Sequence, residues 1–334
     1  MQDLLAQLIP FFYIGIIIYL ANQQAATGRG ETLVRMLVTS MAILPVIYAA
    51  TAVLGALNPA MDSALPEISL TAALISLVIA AALALVSLAA VRVLPFRVAL
   101  RRVFGAGYDP NSLVHLTAFV LVLALTSVTL SNFALSGGLG GLAEEIQADT
   151  SAIPSLILTQ TIWILSALLG VGLLVRRTPQ QAAARLGLRF PRPEDFNWGL
   201  GYGLLCYVGV IGFVAIWALL TSPELFAEQT AASQQLVGVF SSIPQVFVLS
   251  ILIGIGEEVF FRGAIQPVFG IGFTSVFFAV LHTQYTLTPA TLALFGVSLV
   301  LGWLRQRHST SAAIIAHFIY NFVQLFLGIL VTST

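Results

Sequence analysis

Ten stretches of apolar sequence leave this chain little choice of fold. They lie near residues 5–21, 36–57, 68–91, 113–135, 153–175, 198–220, 243–268, 272–283, 287–304 and 310–332. All but the eighth are about as long as the 17–25 residues a helix needs to cross ~30 Å of hydrocarbon. Only 8% of the chain is charged, against roughly 25% in soluble domains. The sequence therefore predicts an all-α, polytopic transmembrane helix bundle of about ten spans. The short eighth run fits a half-helix or tilted insert whose ends face protein or water.

Basic residues set the sidedness. All 14 are arginine, and they occur in alternate connections. Arg29 and Arg35 follow the first run, and Arg92, Arg97, Arg101 and Arg102 the third. Arg176, Arg177, Arg185, Arg189 and Arg192 follow the fifth, Arg262 closes the seventh, and Arg305 and Arg307 follow the ninth. The opposite connections carry Asp62, Glu67, Glu144, Glu145, Asp149, Glu224 and Glu228. The positive-inside rule makes the arginine side cytoplasmic and puts both termini outside. The zero net charge conceals this asymmetry. Nucleic acid is not an expected partner, because the arginines are scattered over short loops without a basic stripe or stacking aromatics. The segment Pro95 to Gly105, with three arginines among apolar residues, reads as topology signal, with an inner-leaflet surface helix as the alternative.

No Lys or Arg precedes the first apolar run and no convincing cleavage site follows it, so it is read as a spanning helix. The most polar interior connection, Arg176 to Asn197, divides the chain. Residues 1–175 form an N-terminal five-helix membrane region of unassigned role, and residues 176–334 a second region that carries the candidate chemistry. The single cysteine, Cys206, lies in a predicted span and reads as a small core residue.

Ionised groups inside an apolar run are expensive and usually functional. Glu257, Glu258 and Arg262 stand in the run from Ile243 to Val268, and His282 and His317 in similar surroundings. At 100° per residue Glu257 and Glu258 face different ways, so a carboxylate dyad is not expected. Glu258 and Arg262, four apart with the acid first, can pair along one face. That leaves Glu257 without a sequence-local cation, in a position suited to a general base. His317 and Asn321 share a face of the last helix and could donate to one oxygen, as an oxyanion hole does. Phe278 and His282 repeat the spacing, so the ring can pack beneath the imidazole while His282 orients a water with Glu257. A rise of 1.5 Å per residue puts Glu257, His282 and His317 at about 17, 15 and 10 Å from the arginine side. His115 and His308, near run ends, are assigned structural roles.

The segments EEVFFR (Glu257 to Arg262), FAVLH (Phe278 to His282) and HFIYN (His317 to Asn321), in this order on late helices, resemble the CPBP family of intramembrane proteases. That family includes the Rce1 CaaX-processing enzymes and bacterial Abi proteins. LFGVSLVLGW (Leu294 to Trp303) and LGLRFPRP (Leu186 to Pro193) are also similar to family segments, and the likeness covers roughly residues 185–330. The resemblance implies that Glu257 and His282 activate water, that His317 and Asn321 stabilise the oxyanion, and that Glu258 and Arg262 fill the other charged positions. It implies no cofactor. Zinc held by Glu257, His282 and His317 is the alternative, although no HExxH helix announces it.

The expected function is hydrolysis of peptide bonds in membrane-embedded or lipidated substrates, in a cavity built by the last four or five helices and opening toward the arginine side. A proton- or cation-coupled transporter and a catalytically silent scaffold are the alternatives. The arginine-only, alanine-rich composition points to a bacterial inner membrane.

Overall fold

The computed structural model describes residues 2–58, 68–148, 151–240 and 242–332. Asp62, Glu67 and Asp149 lie outside the described residues. The helices are α1 (Gln2–Thr27), α2 (Glu31–Leu57), α3 (Leu70–Arg92), α4 (Leu94–Phe104), α5 (Leu113–Leu135), α6 (Leu139–Ala148) and α7 (Ala152–Gly170). They continue as α8 (Pro179–Leu186), α9 (Pro193–Leu220), α10 (Pro223–Gly238), α11 (Ile243–Glu258), α12 (Gln266–Leu281), α13 (Ala290–Arg307) and α14 (Thr310–Thr332). A π-helical turn, Val259–Ile265, joins α11 to α12. The described residues form no strand.

Each of the ten apolar runs falls in this helical framework. Among the described residues eight stretches are long and apolar enough to span a membrane, and Ile243–Leu281 counts as one of them. The difference from ten has two causes. The seventh and eighth runs are continuous in helical assignment, and α13 ends in Arg305 and Arg307, which lower its mean hydropathy. The chain nevertheless breaks inside α12 at Gly270, with φ 78° and ψ 168°. A side chain is disfavoured at that positive φ, so the glycine permits the turn that starts the short eighth segment.

The helices pack by small residues, as membrane helices do. On α3 the buried stripe is Ala73, Ser76, Ala80, Ala84, Ser87 and Ala90, whereas Leu74, Ile75, Val78 and Leu85 are exposed. Ser76 and Ser87 satisfy their hydroxyls on the carbonyls of Ala72 and Leu83. The large apolar side chains therefore face outward, where lipid rather than water is the natural solvent. The protein is an integral, multi-pass membrane protein.

One core cluster joins α1, α2, α5, α7, the π turn and α12, through Ile17, Val38, Val120, Ala167, Phe261 and Phe269 among others. It crosses the division at 175/176. Arginine-bearing ends also converge: Arg35 donates to the Val91 carbonyl, Arg185 to Gly263 and Arg305 to Arg262. α4 lies at this end with Arg97 and Phe104 buried and Arg101 and Arg102 exposed. α6 and α10, in the opposite connections, pack together at the other end.

Candidate active site

Glu257 and Glu258 end α11 and Arg262 sits on the π turn, whose extra residue per turn alters the register of the following side chains. Such turns recur at functional sites. The last turn of α11 lies tight against α7: a Cβ on Gly256 would stand 2.3 Å from Gln160 Oε1.

Glu258 and Arg262 are fully buried and pair at 3.2 Å, Nε to Oε2. Glu258 has a second partner that the sequence did not indicate: its Oε1 lies 2.9 Å from His317 Nδ1. A carboxylate only accepts, so the imidazole donates from Nδ1 and Nε2 is aimed elsewhere. Arg262 also donates to Ser298 Oγ on α13 at 3.1 Å and stacks over Phe278, its Cζ 5.0 Å from the ring centroid. The charge layer thus ties α11, the π turn, α13 and α14 together.

Glu257 points the other way. Its Oε2 lies 3.8 Å from His282 Nε2 and 3.9 Å from His317 Nε2, and makes no hydrogen bond within the chain. His282 follows the last residue of α12, and its Nδ1 meets the Phe278 carbonyl at 2.7 Å. A carbonyl accepts, so Nδ1 carries a hydrogen and Nε2 of the neutral ring offers a lone pair. Phe278 packs against the same imidazole, with centroids 4.4 Å apart, and approaches His317 edge-on at 6.1 Å.

These groups border a cavity of about 290 Å³ whose lining includes Glu257, His282, His317 and Asn321. Glu258 and Arg262 lie behind its wall. The structure thus brings all six sequence-selected residues together and divides them into four that face the cavity and two that brace them. His115 accepts from the Asp109 amide, and His308 packs on Trp198. Cys206 is a buried free thiol.

Two expectations are corrected. The cavity does not belong to the late helices alone, because Gln160 and Trp163 of α7 line it. Nor does it face the arginine side. Ser233 and Leu236 of α10, Gln284, and Gln324 of α14 carry its walls toward the opposite end, while the buried Glu258–Arg262–Ser298 set closes the arginine side. Gln160, 2% exposed, and Ser298 were missed. Ser298 lies 36 positions from its partner Arg262, and Gln160 comes from α7, far along the chain from α11, so neither contact leaves a local spacing to detect.

Among the described residues no group of three His, Cys, Asp or Glu is arranged to hold a metal ion. Residues 239–323 match the family model described as type II CAAX prenyl endopeptidase Rce1-like. The late helices are Rce1-like. Every sequence-selected site residue falls inside the Rce1-like segment. The segment is less than half of the chain and excludes α1–α10. No curated protein and no solved structure matches the chain.

Proposed function

We propose that this protein is an intramembrane endopeptidase that hydrolyses peptide bonds in membrane-embedded or membrane-anchored substrates with a water activated by Glu257. The observation that carries the reading is the placement of Glu257 Oε2 nearly equidistant from His282 Nε2 and His317 Nε2 on a cavity wall. A distance of 3.8 Å is too long for a direct hydrogen bond and suits a bridging water.

In this reading the water donates one hydrogen to Glu257 and the other to His282 Nε2, and its oxygen adds to the scissile carbonyl carbon. Glu257 takes the proton and returns it to the leaving amine nitrogen as the C–N bond breaks. Asn321 and His317 face the oxygen that gains charge. Because His317 already donates from Nδ1 to Glu258, donation from Nε2 requires the doubly protonated ring. Glu257 and Glu258 against Arg262 and His317 then sum to zero charge, a favourable condition in a water-poor site. Glu258 and Arg262 act by fixing His317. The sequence of steps needs no metal.

Substrate enters from the α10 end, which the arginine distribution makes the non-cytoplasmic side of a bacterial inner membrane. The test is incubation of purified protein with membrane-anchored peptides in ¹⁸O-labelled water, with and without chelator. The expected product is a new carboxyl terminus carrying the label, formed equally in both. Loss of cleavage in chelator, restored stoichiometrically by zinc, would instead make Glu257, His282 and His317 metal ligands.

A further inference from the structure

A second cavity, of about 130 Å³, lies on the far side of the π turn. Its walls are apolar toward the bundle, with Ile18, Leu121, Phe260 and Val268 among them, and three arginines, Arg176, Arg177 and Arg185, edge it. It lies within about two turns of the arginine-side ends of α1, α5 and α7, the level of lipid headgroups.

The three guanidiniums have only neutral acceptors. Arg176 donates to Asn22 Oδ1 at 2.6 Å, Arg177 to the Val171 carbonyl and Arg185 to the Gly263 carbonyl at 3.2 Å. Among the described residues none of them makes an ion pair; the pairs present are Arg35–Glu31, Arg189–Asp195, Arg262–Glu258 and those of His282 and His317. Asp109, the nearby acid that acts on His115, is engaged with the Asn111 amide. Burial and then the neighbouring Arg177, Arg305 and Arg176 charges hold the Arg185 guanidinium down to about 10. Like charges gathered in a partly desolvated space repel one another unless an anion joins them.

A topology signal alone requires arginines near the surface, not arginines rimming one cavity. Guanidinium forks match phosphate oxygens in geometry as well as charge, and basic clefts between membrane helices on the cytoplasmic side accept anionic headgroups. We infer that the cavity among α1, α5, α7, α8 and the π turn is a binding site for a phosphate-bearing anion, its arginines holding the phosphate. The apolar walls fit the glycerol and upper acyl region of a phospholipid. The inference is independent of the hydrolytic reading.

The test uses the full-length protein in a zwitterionic detergent, titrated with dioctanoyl phosphatidylglycerol, dioctanoyl phosphatidylcholine or inorganic phosphate and read by native mass spectrometry. One saturable phosphatidylglycerol adduct is expected, weakened tenfold or more in Arg177→Gln and in Arg176→Gln. The double variant Arg101→Gln/Arg102→Gln removes exposed α4 arginines on the same side and should bind as the unmodified chain does. Stoichiometric binding of inorganic phosphate that competes with the lipid would assign the site to soluble phosphate. Binding by the phosphatidylglycerol headgroup alone would assign it to membrane lipid. Equal binding of phosphatidylcholine, no stoichiometric adduct, or undiminished binding in both arginine variants would overturn the inference. Each variant's melting temperature, compared with the unmodified chain, separates loss of the site from loss of fold.

Discussion

Glu258 makes the residue-scale account specific, because one carboxylate holds both a buried arginine and a histidine that faces the cavity. Removing Arg262 strips Glu258 of its buried arginine partner and leaves His317 alone to hold the carboxylate, at a cost of up to about 3–5 kcal/mol. Arg262→Ala should therefore lower the melting temperature of the detergent-solubilised protein and its turnover together. An unchanged melting temperature with reduced turnover would move Arg262 from bracing the site into the reaction itself. Asn321→Ala should behave differently, since Asn321 borders the cavity outside the charge layer. It should lose about 10²–10³ in kcat with KM nearly unchanged, and a dominant KM effect would make it a substrate-binding group. The four-residue spacings Glu258–Arg262, Phe278–His282 and His317–Asn321 were legible because one helix face presents both members. The 2.9 Å contact between Glu258 and His317 was not, since it depends on the relative rotation of α11 and α14, which no local pattern encodes.

At the scale of elements, the site depends on two departures from regular helix. The π turn from Val259 to Ile265 sets where Arg262 points, and the break at Gly270 redirects the chain so that α12 brings His282 back to Glu257. The short apolar run after Gly270 revealed the second departure in the sequence. The π turn gave no such signal, because VFFRGAI is compatible with an ordinary helix. Close packing of α11 on α7 matters equally. Gly256→Ala forces a methyl group against Gln160, whose backbone oxygen is also only 3.1 Å from the new Cβ. The expected penalty is about 1–3 kcal/mol, visible as a lower melting temperature, with a loss of turnover as Glu257 shifts. A fully active and equally stable variant would show that α7 yields freely and does not position the site.

Across the whole molecule, alternation of arginine and acid predicts orientation, and the folded chain gathers the arginine-bearing ends together. With Cys206 replaced by alanine, a cysteine at Arg101 should react with a membrane-impermeant maleimide only from the cytoplasmic side, and one at Glu224 only from the opposite side. Labelling of both from one side would refute the assigned topology. Charge order sets the sidedness that this labelling tests, and membrane class could be read from the sequence because it resides in composition. The direction of the cavity could not be read there, since it depends on α10, which packs against α6 and α14 and has no membrane-length apolar run to mark it. The central claim concerns Glu257, and the most direct measurement is the turnover of Glu257→Gln on a membrane-anchored peptide, alongside its melting temperature. The carboxamide preserves shape but cannot accept a proton from water. The account predicts a loss of about 10²-fold or more in turnover with the fold intact; near-normal cleavage by the folded variant would contradict it.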